Sequence, residues 1–133
     1  MKPIPIATLV TLTTLLATTA QAAPVDDLIA GYVKAGASPS LEAGRAFWSK
    51  EHPDPKSGGK RSCATCHGPD LTRTGKHIKT GKAIEPLAPS ANPKRLQDPA
   101  EVEKWFRRNC SWTLGRHCTA QEKADILTYL RTL

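Results

Sequence analysis

Cys63 and Cys66 are separated by two residues, and His67 follows the second cysteine directly. The order Cys-Ala-Thr-Cys-His suits one chemistry above others. Two thiols at that spacing reach the two vinyl groups of a single porphyrin and add across them. The imidazole that comes next swings under the ring and binds its iron as the proximal ligand. The motif therefore predicts one covalently attached haem c, held by Cys63 and Cys66 and ligated by His67. Two other readings compete. A thioredoxin-like dithiol wants a strand before the motif and a helix after it, whereas Ser57-Gly58-Gly59-Lys60-Arg61 reads as a loop. A zinc site made from Cys63, Cys66, Cys110 and Cys118 leaves His67 without a role and suits a reducing compartment.

The second axial ligand of an electron-carrying haem of this kind is ordinarily methionine. The only methionine here is Met1, inside a segment that reads as a removable leader. His52, His77, His117, Asn92, Asn109, a lysine, water or nothing remain for the sixth position. A histidine would saturate the iron and leave electron transfer as its whole chemistry. His77 lies downstream of the motif but among lysines, His52 precedes it, and His117 sits beside Arg116. Asn109 is better placed, because it continues the apolar stripe Val102, Trp105, Phe106 at helical spacing. A carboxamide aimed at an apolar interior finds a partner or costs roughly 1–3 kcal/mol. Its oxygen is a hard, neutral, weak donor that ferric iron accepts more readily than ferrous iron does. The expectation is that Asn109 ligates ferric iron and lets go on reduction, opening a site for a small molecule.

Cys110 and Cys118 are left over once haem takes two of the four cysteines. In an oxidising compartment they should pair and brace Asn109. Loop-entropy arithmetic gives about 2.5 kcal/mol for a ring of that size. A plain staple is the simpler role, and a redox-active bridge that answers to the haem is the alternative.

The elements that must hold these groups follow in chain order. Residues 1–22 read as a secretory signal: Lys2 is its only charge, an apolar and threonine-rich run follows, and Ala20-Gln21-Ala22 fits the cleavage rule. Residues 23–133 then form one domain. Removing Lys2 from the 19 basic residues leaves 18 against 12 acidic. Export suits both haem attachment and a disulfide and places the protein in the periplasm. It also makes nucleic acid an implausible partner, despite the positive charge. Helices are expected over 26–35, 40–50, 98–108 and 119–133. Ser40, Asp98 and Thr119 are the N-caps, and Glu101 and Glu122 complete capping boxes. Leu41, Gly44, Phe47 and Trp48 share a face of the second helix, where Gly44 would let another helix approach closely. Residues 52–60 and 68–97 read as loops, with Ile84, Leu87 and nearby prolines wrapping the haem. Lys56, Lys60, Arg61, Arg73, Lys76, Lys79 and Lys82 face only Asp70 between positions 56 and 82. That is either a solvated surface or a docking face for an acidic redox partner.

Val102 to Cys110, followed by Leu114-Gly115-Arg116-His117-Cys118-Thr119 and Glu122-Lys123-Ala124-Asp125, resembles the sphaeroides haem protein family of class I cytochromes c. Thr80-Gly81-Lys82, Pro86-Leu87-Ala88-Pro89-Ser90 and Leu28-Ile29-Ala30-Gly31-Tyr32 share the likeness, which covers nearly all of residues 23–133. The asparagine–cysteine pair is its distinguishing mark. The resemblance implies haem held at Cys63 and Cys66, His67 as proximal ligand, Asn109 as distal ligand of the ferric protein, and a bridge between Cys110 and Cys118. It also implies oxygen, carbon monoxide, nitric oxide, cyanide or azide as ligands after reduction. A dihaem cytochrome c, alongside a membrane cytochrome b, would be the electron donor.

Together these readings predict an all-α, small single-domain cytochrome c fold around one haem, with redox-gated ligand binding. A plain electron carrier with closed iron is the first rival. An enzyme acting on nitric oxide, oxygen or peroxide is the second, and it would need a distal acid–base group.

Overall fold

A computed structural model describes residues 23–54 and 57–133. The expected leader, residues 1–22, lies outside the described residues, as does Lys56. Helix α1 (Pro24–Lys34) opens on a proline and carries Asp26 and Asp27 in its first turn, where the positive end of the helix dipole favours them. It buries Val25 and Ile29, whereas Val33, expected on the same apolar stripe as Leu28, Ile29 and Tyr32, is 47% exposed. Helix α2 (Leu41–Ser49) starts where the Ser40 hydroxyl accepts from the backbone N–H of Ala43 at 3.2 Å. Gly44 and Trp48 are buried. Leu41 is not: it is 42% exposed, because the buried arc begins a turn later.

The all-α class holds, with two additions to the expected loops. Strands β1 (His52–Pro53) and β2 (Lys60–Arg61) pair antiparallel, as do β3 (Gly75–Lys76) and β4 (Ala83–Ile84). Each ladder has two residues per strand, too short for any period in the sequence. A short helix α3 (Ala64–His67) carries the haem motif.

Helix α4 (Pro99–Leu114) runs six residues past the expected end at Arg108. Its stop is Gly115, left-handed at φ 71°, whose N–H reaches the Ser111 carbonyl. Asn109 and Cys110 therefore lie inside the helix and not at its end. The Asp98 carboxylate caps Ala100 and Glu101. The expected capping box is replaced by another bond: the Glu101 carboxylate accepts from the Trp105 indole one turn on, at 3.3 Å. Helix α5 (Ala120–Leu130) does have its capping box, Thr119 with Glu122, in both directions. It ends three residues before the expected Leu133.

The core sits where α2 and α1 cross α5. Ala124, Ile126, Leu127 and Leu130 are all buried, Leu127 to 1% exposure. The crossing is tight because Gly44 has no side chain there: a Cβ would overlap the Asp125 carbonyl oxygen. Asp125 also accepts from the Ser40 N–H and from Gln121, each at 2.8 Å. One carboxylate ties three helices: Glu103 of α4 accepts from Tyr32 of α1 and from Lys123 of α5, the latter at 2.6 Å. Charge assistance makes such bonds stronger than neutral ones.

Candidate haem site

Between α4, α5, the haem motif and the loop of residues 83–96 lies a cavity of about 770 Å³. Cofactor pockets span roughly 300–1,000 Å³. Leu87, Leu96, Val102, Leu114, Ile126 and Leu130 supply much of its apolar lining. Cys63, Cys66 and His67 stand on its wall together, and both thiols are free. The residues thus fit a large apolar ring that needs two sulfurs and an imidazole at one edge.

The imidazole is prepared for a metal. Burial, with the nearby Arg95 charge adding to it, pushes the His67 pKa down to about 4. At neutral pH its lone pair is free. The Trp48 indole packs tilted on the His67 ring at 5.4 Å between centroids. Burial pushes the Cys63 thiol up to about 11, against an opposing backbone hydrogen bond. The loop opposite is pinned by Arg95, which donates to the carbonyls of Pro86 at 2.9 Å and Glu85 at 3.0 Å. Leu96 then takes φ 62°, a strained conformation for a side-chain-bearing residue, at the cavity wall.

Asn109 lines the same cavity. It stands on the cavity face of α4, the side the stripe implied, and not within the packing of α4 on the other helices. Trp105 is likewise 40% exposed on the cavity wall, held by its bond to Glu101. Of the stripe, Phe106 alone is buried, and Val102 packs half-buried against the same core. Among the described residues the Asn109 carboxamide takes part in no side-chain hydrogen bond. Asn92, the rival carboxamide, is committed: it donates to Glu85 and to the Pro86 carbonyl and accepts from Lys94 N–H.

The histidines separate. His77, expected in a solvated loop, lines the cavity, and its Nδ1 accepts from Lys79 and Thr80 N–H. His117 instead borders a separate pocket of about 140 Å³ with Cys118. His52 stacks on Phe47 at 5.9 Å and is not among the cavity residues.

Cys110 and Cys118 form a disulfide with Cα atoms 5.6 Å apart. The four-cysteine zinc reading fails on that bond, since two of its ligands are spent. Trp112, Thr113 and Leu114 also line the cavity. They lie beyond the helix end expected at Arg108; over the full length of α4 the spacing 105, 109, 112 marks one face.

The fold and this cavity define a small monohaem cytochrome of the c type. Residues 34–130 match a family described as a domain of unknown function, DUF1924. The cytochrome c-type protein SHP of Cereibacter sphaeroides is 52% identical over 107 residues, 77% of this chain and 79% of that protein. The structure of oxidised SHP, described as an oxygen-binding cytochrome c, matches with a TM-score of 0.73 at 48% identity, over 82% of this chain and 96% of that one. The solution structure of cytochrome c'' from Methylophilus methylotrophus, described in terms of haem-ligand detachment, matches at 0.72 and 35%, over 82% and 93%. The chain belongs to the sphaeroides haem protein family and carries covalently attached haem c.

Proposed function

We propose that this chain is an exported, periplasmic cytochrome that transfers electrons and takes up a diatomic ligand in its cavity, with Asn109 as the gate. Residues 1–22 are its leader and residues 23–133 its working domain. Cys63 and Cys66 would hold the haem through thioethers, and His67 would bind its iron. When bound, haem supplies a one-electron couple and an iron that takes a small ligand at its sixth position.

The observation that carries the reading is the state of Asn109. Its carboxamide stands on the cavity wall shared with His67 and has no side-chain partner among the described residues. Asn109 Oδ1 would be a donor weak enough to hold ferric iron and to let it go on reduction. Side-chain rotation is enough for that release, since the backbone is fixed in α4 and bridged at Cys110. Turned away from the iron position, its Nδ2–H would be free to donate to a small polar ligand in the cavity. The oxygen binding ascribed to SHP and the ligand detachment ascribed to cytochrome c'' support the reading. Electrons would come from a dihaem cytochrome c and a membrane cytochrome b, as the family likeness implies.

Visible spectra of the ferric and reduced protein, each with and without carbon monoxide, test this. A high-spin ferrous spectrum that shifts on adding the gas supports the open site. A low-spin ferrous spectrum indifferent to the gas means a strong sixth ligand, such as His77, and an ordinary electron carrier.

A further inference from the structure

We propose that the β3–β4 hairpin is the docking surface for an acidic electron-transfer protein. The inference rests on the haem reading above and adds where the electron enters. The base of the hairpin lies directly on the attachment motif. A Cβ on Gly75 would overlap the Cys66 carbonyl oxygen and stand 2.9 Å from the His67 Cα. The hairpin is closed by His77 N–H to the Lys82 carbonyl and Gly81 N–H to the His77 carbonyl, both at 2.8 Å. His77 Nδ1, accepting from Lys79 and Thr80 N–H, fixes the tip itself.

That tip carries Ile78, 60% exposed, the highest value for a large hydrophobic residue among those described. Lys76, Lys79 and Lys82 flank it, all exposed and none in an ion pair among the described residues. Between positions 71 and 84 the chain has Arg73 and these three lysines and no acid. An apolar point flanked by unpaired cations suits transient docking. The charge steers an acidic face inward, and the apolar point gives it a place to desolvate. Electron-transfer encounters bury less than about 1,200 Å², within the reach of one hairpin. An anionic membrane would also meet these lysines. Only an electron carrier, however, gains from a tip whose base rests on Cys66 and His67.

The test is stopped-flow reduction of the haem-loaded protein by a strongly acidic plant-type ferredoxin, with neutral reduced riboflavin as control. The variant K76E/K79E/K82E should be reduced by ferredoxin roughly 10-fold more slowly at low ionic strength. The difference should vanish in about 1 M salt, and the riboflavin rate and haem spectrum should match the parent. Ile78→Ser should slow the ferredoxin reaction without changing its salt dependence. Equal ferredoxin rates in K76E/K79E/K82E and parent overturn the proposal. So does an equal slowing in K34E/R45E/K50E, which would reflect net charge alone. Binding to anionic vesicles that the hairpin variant loses, with ferredoxin rates unchanged, would assign the surface to lipid instead. A parent that riboflavin cannot reduce would sink the haem reading itself, and the docking face with it.

Discussion

Gly44 of α2 and Asp125 of α5 meet backbone to backbone. A Cβ at Gly44 would overlap the Asp125 carbonyl oxygen and stand 3.0 Å from the Tyr129 Cβ. Neither neighbour is the loose end of a side chain, so neither yields without moving a helix. Gly44→Ala should therefore destabilise the haem-loaded protein by about 1–3 kcal/mol. Helix propensity alone would stabilise it by up to about 1 kcal/mol. A thermal melt decides the sign; a variant that melts at or above the parent refutes the close crossing.

Asn109→Ala should change the ferric spectrum and leave the ferrous one close to the parent's. Loss of one neutral hydrogen bond, about 0.5–1.5 kcal/mol, should weaken oxygen binding roughly 2- to 10-fold. Carbon monoxide, a poor hydrogen-bond acceptor, should change less. Identical spectra in both oxidation states would remove Asn109 from the iron.

Replacing both bridge cysteines, C110S/C118S, should cost about 2.5 kcal/mol by loop entropy. Both residues are buried, so two new hydroxyls in apolar surroundings add to the cost. Urea unfolding of parent and variant under the same redox conditions measures it. Equal midpoints would leave the bridge without a structural role.

Acid should weaken the fold through two carboxylates. Hydrogen bonding from Arg116 holds Glu122 below the ordinary carboxylate range, against its burial. Burial pushes Glu103 up, but hydrogen bonds from Lys123 and Tyr32 outweigh it and bring it below the ordinary range too. The folded state thus binds fewer protons than the unfolded one as pH falls from about 4.3. Stability is full above that value and is lost as pH drops through the folded pKa values. Urea midpoints at pH 7, 5, 4 and 3 should decline below pH 5, and Glu122→Gln should decline less steeply.

The helices were legible where local chemistry announced them. Ser40, Asp98 and Thr119 all cap as their side chains suggested. The end of α4 was not. Ser111, Trp112 and Thr113 are indifferent helix formers, and only the cavity and the bridge give them reason to stay helical. The true stop, Gly115, was in plain view. The two-residue ladders had no pattern to show, since the tight turns at Gly58 and Gly81 and long-range packing make them. Of the haem site, the motif needed no fold to be read. That Asn109 is uncommitted and Asn92 is not could be seen only once Glu85, Pro86 and Lys94 had closed around the latter.

The cavity wall includes Ile126, Leu127 and Leu130, near the very end of the chain, although the cysteines that hold haem stand at 63 and 66. A polypeptide shortened before Ile126 keeps the attachment motif and loses the vessel. Once the vessel is closed, the Cys63 thiol is held protonated, its less reactive form. The sulfur that the motif offers is thus least reactive where the cavity around it is most complete.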